Sequence, residues 1–357
     1  MHKKEKKCTE KKKQKTGQEK TPSIKTTIPG SKFQLYQQWD LLPELALEAH
    51  DLLRGEHGGE IPGVKLTEEV GKFATIHTVT ILDERGSRIM QKPEGTYVTI
   101  FSQELAVNHR GVQQELVQVV RQELQKFVQL PTLQDTVLVV GFGNWKSTPD
   151  SLGPQLINQL MATRHLHGNV PEEILKGVRP VVTIAPGVLG MTGIESADIV
   201  RGIAERVKPS LILAIDALAA GSASRIGTTI QISDTGVTPG VGVGNQRAAI
   251  NQETMGIPVI SIGVPTIVKA RIIAHNVLEE FWNQLQTRRH LSPLLQDLPQ
   301  PALHNMMQNA LQSCQTDLEV TPKEIDDLVR NCSVILANAI TQTLHPNMNA
   351  DFAASFF

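Results

Sequence analysis

The chain has 357 residues, 40% hydrophobic but only 4% aromatic, enough for one large or two ordinary domains with a core resting on Val, Ile, Leu and Ala. No apolar run is long enough to span a bilayer, and the lysine-rich start lacks the apolar stretch of a secretory signal. Cys8, Cys314 and Cys332 show neither paired nor metal-ligand spacing, which suits a reducing interior, so a cytoplasmic protein is expected.

The net charge of −1 is unevenly spread, with ten Lys against three Glu in residues 1–25. Such a block has almost nothing to bury and reads as a disordered leader. It also suits contact with nucleic acid, but no aromatic residue interleaves the lysines to stack on bases. After Pro29-Gly30, the segment Pro43-Glu-Leu-Ala-Leu-Glu-Ala-His50 reads as the start of a helix. Residues 74–83 alternate in strand fashion and, with Thr96 to Phe101, predict a strand pair. Leu116, Val117, Val119, Val120, Leu124 and Phe127 recur at helical spacing, predicting a long helix within 103–128.

From residue 136 strands alternate with helices in the manner of a doubly wound fold. Strands are expected at 136–141, 181–185, 211–215 and 257–262, with helices near 152–166, 193–207 and 266–286 and a last one ending about 342. Thr192-Gly-Ile-Glu195 and Thr321-Pro-Lys-Glu324 have capping-box spacing ahead of two of these helices. Residues 221–256 hold seven glycines and no convincing helix, and read as a long functional loop able to roof a crevice.

Asp150 and Asp216 each come after a strand-like run, and ligands of open α/β sheets bind beyond the carboxyl ends of the strands. Two carboxyls meeting there can divide acid and base roles; the plainer reading of each is a helix cap. Asp234-Thr235-Gly236 has the triplet of all-β aspartic proteases, but in an alternating α/β chain it reads as a turn, with Asp234 left as a possible further acid. Gly141-Phe-Gly143-Asn144 and Pro186-Gly-Val-Leu-Gly190 lack the dinucleotide and P-loop patterns and read as tight turns. There is no Gly-x-Ser-x-Gly elbow and no His-Glu-x-x-His.

The blocks Ile184-Ala-Pro-Gly-Val-Leu-Gly-Met-Thr-Gly-Ile-Glu-Ser196, Ala214-Ile-Asp216-Ala-Leu-Ala-Ala, Thr229-Ile-Gln-Ile-Ser-Asp-Thr-Gly236, Gly242-Val-Gly-Asn245 and Gly256-Ile-Pro-Val-Ile-Ser-Ile-Gly-Val-Pro-Thr266 resemble, in this order, the germination proteases of spore-forming bacteria. The likeness covers roughly residues 45–357 and includes Val320-Thr-Pro-Lys-Glu-Ile-Asp326. It implies an endopeptidase of the spore core, made as a zymogen, assembled as a homotetramer and acting on small acid-soluble spore proteins. It also implies that Asp150 and Asp216 are the catalytic pair, with no cofactor.

The fold and the Gly-Asn…Asp stretch are similar also to hydrogenase-maturation proteases, which bind a metal, so a metal-dependent peptidase is one rival. His165 and His167 lie downstream without ligand spacing. The other rival is a noncatalytic nucleic-acid binder using the lysine tail. Cleavage after acidic residues requires cationic partners, for which Lys146, Arg164, Arg179, Arg225 and Arg247 are the candidates beside the crevice segments. Where the family has a Thr-Asp-Leu-Ala type junction this chain has Pro43-Glu44-Leu45-Ala46. The expected organisation is therefore a removable leader over 1–44, cut between Glu44 and Leu45, and one α/β catalytic domain over 45–357. The expected sheet is doubly wound and mostly parallel, flanked by helices, with an added N-terminal strand pair and C-terminal helix.

Overall fold

The computed structural model describes residues 32–38, 41–57, 59–107, 109–239, 248–287, 309, 318–346 and 348. The chain enters through α1 (Lys32–Gln38) and α2 (Ala46–His57). It then lays down β1 (Val64–Val70), β2 (Thr75–Ile81), α3 (Glu84–Met90), β3 (Gly95–Phe101) and the long α4 (Arg110–Phe127). Strands and helices alternate from there: β4 (Val137–Gly141), α5 (Leu152–Ile157), β5 (Val181–Ile184), α6 (Leu189–Thr192), α7 (Ser196–Val207) and β6 (Leu211–Ala220). The rest is β7 (Thr229–Ser233), α8 (Gln252–Met255), β8 (Val259–Lys269), α9 (Ala270–Thr287), β9 (Glu319–Val320) and α10 (Ile325–Leu344).

The strands form one sheet in the order β1-β2-β3-β7-β8-β6-β4-β5, with β9 on β8. β5, β4, β6 and β8 run parallel, giving the doubly wound arrangement read from the sequence. Beyond β8 the sheet continues antiparallel through β7, β3, β2 and β1. The expected strand pair is β2–β3. β1 and β7 are additions, the first a mostly exposed edge strand and the second five buried residues inside the glycine-rich stretch.

Parallel strands covered on both faces must be apolar on both, and β4 is buried at every position. Val137 and Val139 join the layer that holds α4, α5 and α10, while Leu138 and Val140 join the layer that holds α7. In α10, Leu328, Val329, Cys332, Ile335, Leu336 and Ile340 recur at three- and four-residue steps and are all buried. Truncating fully buried Leu336 to Ala is expected to cost about 2–5 kcal/mol.

Local details depart from expectation for identifiable reasons. The helix read over 152–166 stops at Ile157, because the Thr163 hydroxyl donates to the Arg179 carbonyl and accepts from Val181 N, tying the chain to the start of β5. Neither predicted capping box forms. Thr192 bonds within its own turn ahead of left-handed Gly193, and the Thr321 hydroxyl donates instead to Thr266 O. The box that does form joins Asn251 and Thr254 at α8.

Part of the expected disordered leader is ordered: α1 buries Phe33 and Tyr36, and Leu41 joins the main core. Lys32 pairs with Glu279, and the Tyr36 ring meets His275 edge-on at 5.3 Å, so α1 rests on α9. The lysine block over 1–25 lies outside the described residues.

Candidate functional site

At the carboxyl ends of β4 and β6 lies a cleft of about 720 Å³ lined by, among others, Glu44, Lys92, Asp150, Asp216 and Gln231. The sheet brings these residues together across long sequence separations. Asp216 does not follow its strand but sits inside it, because β6 continues beside β8 through Ala220. It is buried and its Oδ1 accepts from Ala217 N at 2.9 Å. The register places Asp216 opposite Gly263, and Gly263 opposite Gln231, so the three form one row across β6, β8 and β7. Paired positions share a face, which puts the Asp216 and Gln231 side chains on the same side of the sheet.

Asp150 closes a short 3₁₀ turn, Thr148–Asp150, with Pro149 at its centre. Asn144 N donates both to its Oδ2, at 2.9 Å, and to its main-chain carbonyl, at 2.8 Å. That double contact demands glycine at 143, where φ is +118° and a Cβ would lie 2.0 Å from the Asp150 carbonyl. The glycines of this stretch thus serve close approach of turn and strand, as read from the sequence. Asp234 does not line the cleft: it is exposed, and its Oδ1 accepts from Thr96 N at 2.8 Å, tying the β7 turn to β3.

The nominated cations fare differently. Lys146 and Arg164 are exposed and outside the lining. Arg179 precedes β5, at the opposite end of the parallel strands, where it donates to the carbonyls of Thr132, Asp135 and Leu344. Arg225 stacks on Phe101, 4.9 Å from the ring centre, also outside the lining. Arg247 lies outside the described residues. Among the described residues, the cationic side chain that lines the cleft is Lys92, which sequence reasoning passed over. Its only sequence mark is a Lys-Pro step after a short helix, and its partners stand more than forty residues upstream.

Glu44 lines this cleft. The Glu44 side chain accepts from Ala219 N at 3.1 Å, its carbonyl accepts from Lys92 Nζ at 2.8 Å, and Ala46 N donates to Gln231 Oε1 at 2.7 Å. Leu45 between them is fully buried. One turn on, Glu48 accepts from Gly221 N at 2.7 Å, and burial pushes its carboxyl up to about 7 against the pull of that amide, Arg225 and Lys92. Burial likewise pushes the Lys92 ammonium down to about 8, with Glu44 and Glu48 raising it. Among the described residues no three His, Cys, Asp or Glu side chains gather into a group able to hold a metal. His165 and His167 are outside the cleft, and burial lowers the His167 pKa.

Comparison with known proteins finds a match to the germination protease family over residues 44–284. A germination protease of Clostridium perfringens (strain 13) is 42% identical over 315 residues, spanning 87% of this chain and 97% of that protein. One from Caldanaerobacter subterraneus subsp. tengcongensis is 41% identical over 85% of this chain and 94% of its own. One from Bacillus pumilus is 35% identical over 89% and 97% respectively. Among solved structures, a NiFe hydrogenase maturation protease from Thermococcus kodakarensis is similar over 61% of this chain and 98% of that one, at 14% identity and a TM-score of 0.32.

Proposed function

The chain belongs to the germination protease family, and from that premise we propose that Asp150 and Asp216 are the acid–base pair of an endopeptidase acting on small acid-soluble spore proteins. The bond cut follows an acidic residue and precedes an apolar one. The protein is made as a zymogen that removes its own residues 1–44 by cutting between Glu44 and Leu45. Assembly as a homotetramer in the cytoplasm of the forespore and spore core belongs to the same proposal, as does a reaction with neither cofactor nor metal.

The observation that carries this reading is the shared cleft, in which both aspartates and Glu44 take part. One carboxylate takes a proton from water, whose oxygen attacks the carbonyl carbon. The other, protonated, delivers its proton to the departing nitrogen. Two carboxyls in one cleft suit this division because their surroundings differ: Asp216 is buried within a strand, and Asp150 is half-buried in a turn. The acid-then-apolar preference is supported by Glu44 and Leu45 themselves, the one bonded to a strand amide and the other enclosed.

The test is incubation of the full chain and of a spore-protein substrate, with fragments identified by mass spectrometry and the new N-terminus sequenced. Cleavage after Glu or Asp in the substrate and a start at Leu45 are expected. Asp150→Asn and Asp216→Asn keep the shape and remove the proton chemistry, so each abolishes both cuts while circular dichroism stays unchanged. Full activity in either folded variant removes that aspartate from the mechanism.

A further inference from the structure

Proton transfer alone leaves one demand of amide hydrolysis unmet. When water adds to the carbonyl carbon, the oxygen becomes an anion, and enzymes place a donor or cation there in advance. The contacts around residues 44–46 show where such a group stands. The Glu44 carbonyl belongs to the bond proposed for self-cleavage, and it receives an N–H from the Lys92 ammonium at 2.8 Å.

The fold invests in holding Lys92 there. Gln91, just before it, is one of two non-glycine residues with positive φ among the described residues, at 52°. For an L-residue that conformation costs about 1–2 kcal/mol. The Ser87 hydroxyl donates to the Lys92 carbonyl at 2.7 Å, Pro93 fixes the next step, and the Tyr97 hydroxyl donates to the Pro93 carbonyl at 2.9 Å. A helix end, a left-handed residue, a proline and two hydroxyls together fix one lysine in the cleft. Neighbouring contacts hold the peptide on either side of the bond: Ala219 N on the Glu44 carboxylate and Gln231 on the Ala46 amide.

We propose that Lys92 is the electrophile of this cleft, polarising the carbonyl of the residue before the scissile bond and then bearing the charge of the tetrahedral intermediate. In that step the water oxygen bonds the carbonyl carbon, a water proton passes to one aspartate, and the π pair moves onto the oxygen facing the ammonium. On collapse the pair returns, the carbon–nitrogen bond breaks, and the nitrogen leaves with the proton of the other aspartic acid. Lys92 transfers no proton and must be charged throughout. The charges facing it are Glu44, from the segment before α2, and Glu48, from α2 itself; both favour the charged form against burial.

This inference rests on cleavage between Glu44 and Leu45, and the first arm of its test examines that alone. The full wild-type chain is incubated and its first-order self-cleavage followed by mass spectrometry from about pH 5 to about pH 10. The rate is expected to fall as pH rises through about 8, where the ammonium deprotonates. Lys92→Met is expected to slow the cut by about a hundredfold or more, the loss typical of removing an oxyanion donor. Lys92→Arg restores the charge, retains most of the rate, and moves the alkaline limb upward because a guanidinium does not titrate there. A Met variant cutting within about threefold of wild type overturns the proposal, as does an Arg variant whose alkaline limb stays put. Thermal melts show whether each variant folds, and if Met does not, the Arg profile decides. A wild-type chain that never cuts this bond defeats the underlying reading and this inference with it, before any variant is compared.

Discussion

Glu48→Gln isolates the energetic consequence of a carboxylate buried beside the cleft. Its Oε2 accepts from Gly221 N, while Oε1 is buried without a hydrogen-bond partner among the described residues. Burial lifts its pKa from 4.5 to about 7, which at about 1.4 kcal/mol per unit amounts to about 3 kcal/mol. The folded chain keeps this proton between those two values and the unfolded chain gives it up. Stability from this group is therefore intact at and below pH 4.5, declines as pH rises, and is fully lost above about pH 7. Gln preserves an acceptor for Gly221 N and cannot ionise. Urea unfolding followed by far-UV circular dichroism, in an Asp216→Asn background that prevents self-cleavage, measures the difference. Between about pH 5 and about pH 8 the wild-type side chain should lose about 3 kcal/mol more than Gln. At the acid end Gln should match the protonated Glu to within about 1 kcal/mol, since the acid O–H on Oε1 and the amide N–H alike lack a partner. Parallel pH profiles for the two proteins would refute the assignment of a buried, ionising Glu48.

The same substitution should lower the pH at which self-cleavage fails, since it removes one of the two negative charges that keep Lys92 protonated; an unmoved alkaline limb contradicts that coupling. Gly141→Ala drives a Cβ to 2.3 Å from the Gly153 carbonyl, so the end of β4 and α5 must part. A loss of about 1–3 kcal/mol, seen as a lowered Tm, is expected together with slower cleavage. Exhaustive dialysis against a chelator should leave cleavage intact, and a loss restored by one metal ion would reinstate metal-dependent chemistry.

The sequence displayed the parallel half of the sheet plainly, because strands covered on both faces leave unbroken apolar runs such as Val137–Val140 and Leu211–Ile215. It concealed β1, whose Lys and two Glu mark a solvated edge, and β7, too short to stand out among glycines. Asp216 was legible as a candidate site residue but not its place inside a strand, which depends on β8 running alongside for four further pairings beyond it. Lys146, Arg164, Arg179 and Arg225 stand outside the cleft lining, because charge and proximity in sequence say nothing of which end of the sheet a residue occupies. Arg179 sits at the amino end, and Lys92 reaches the cleft from the turn after α3, outside the alternating region altogether.

The ordering of α1 separates cutting from release. Severing the Glu44–Leu45 bond leaves Phe33, Tyr36 and Leu41 buried against the body of the molecule, and Glu44 still held at the cleft. Withdrawing each of the two aromatic side chains forfeits about 1.5–3 kcal/mol of burial, so the severed peptide stays as a tenant until dilution or competition evicts it. Its new carboxyl terminus would face Lys92 as an anion, the kind of charge proposed for that residue to bear. Under the proposed cut the leader fragment would be a product inhibitor, and the onset of activity would follow the concentration of whatever displaces it as well as the cut.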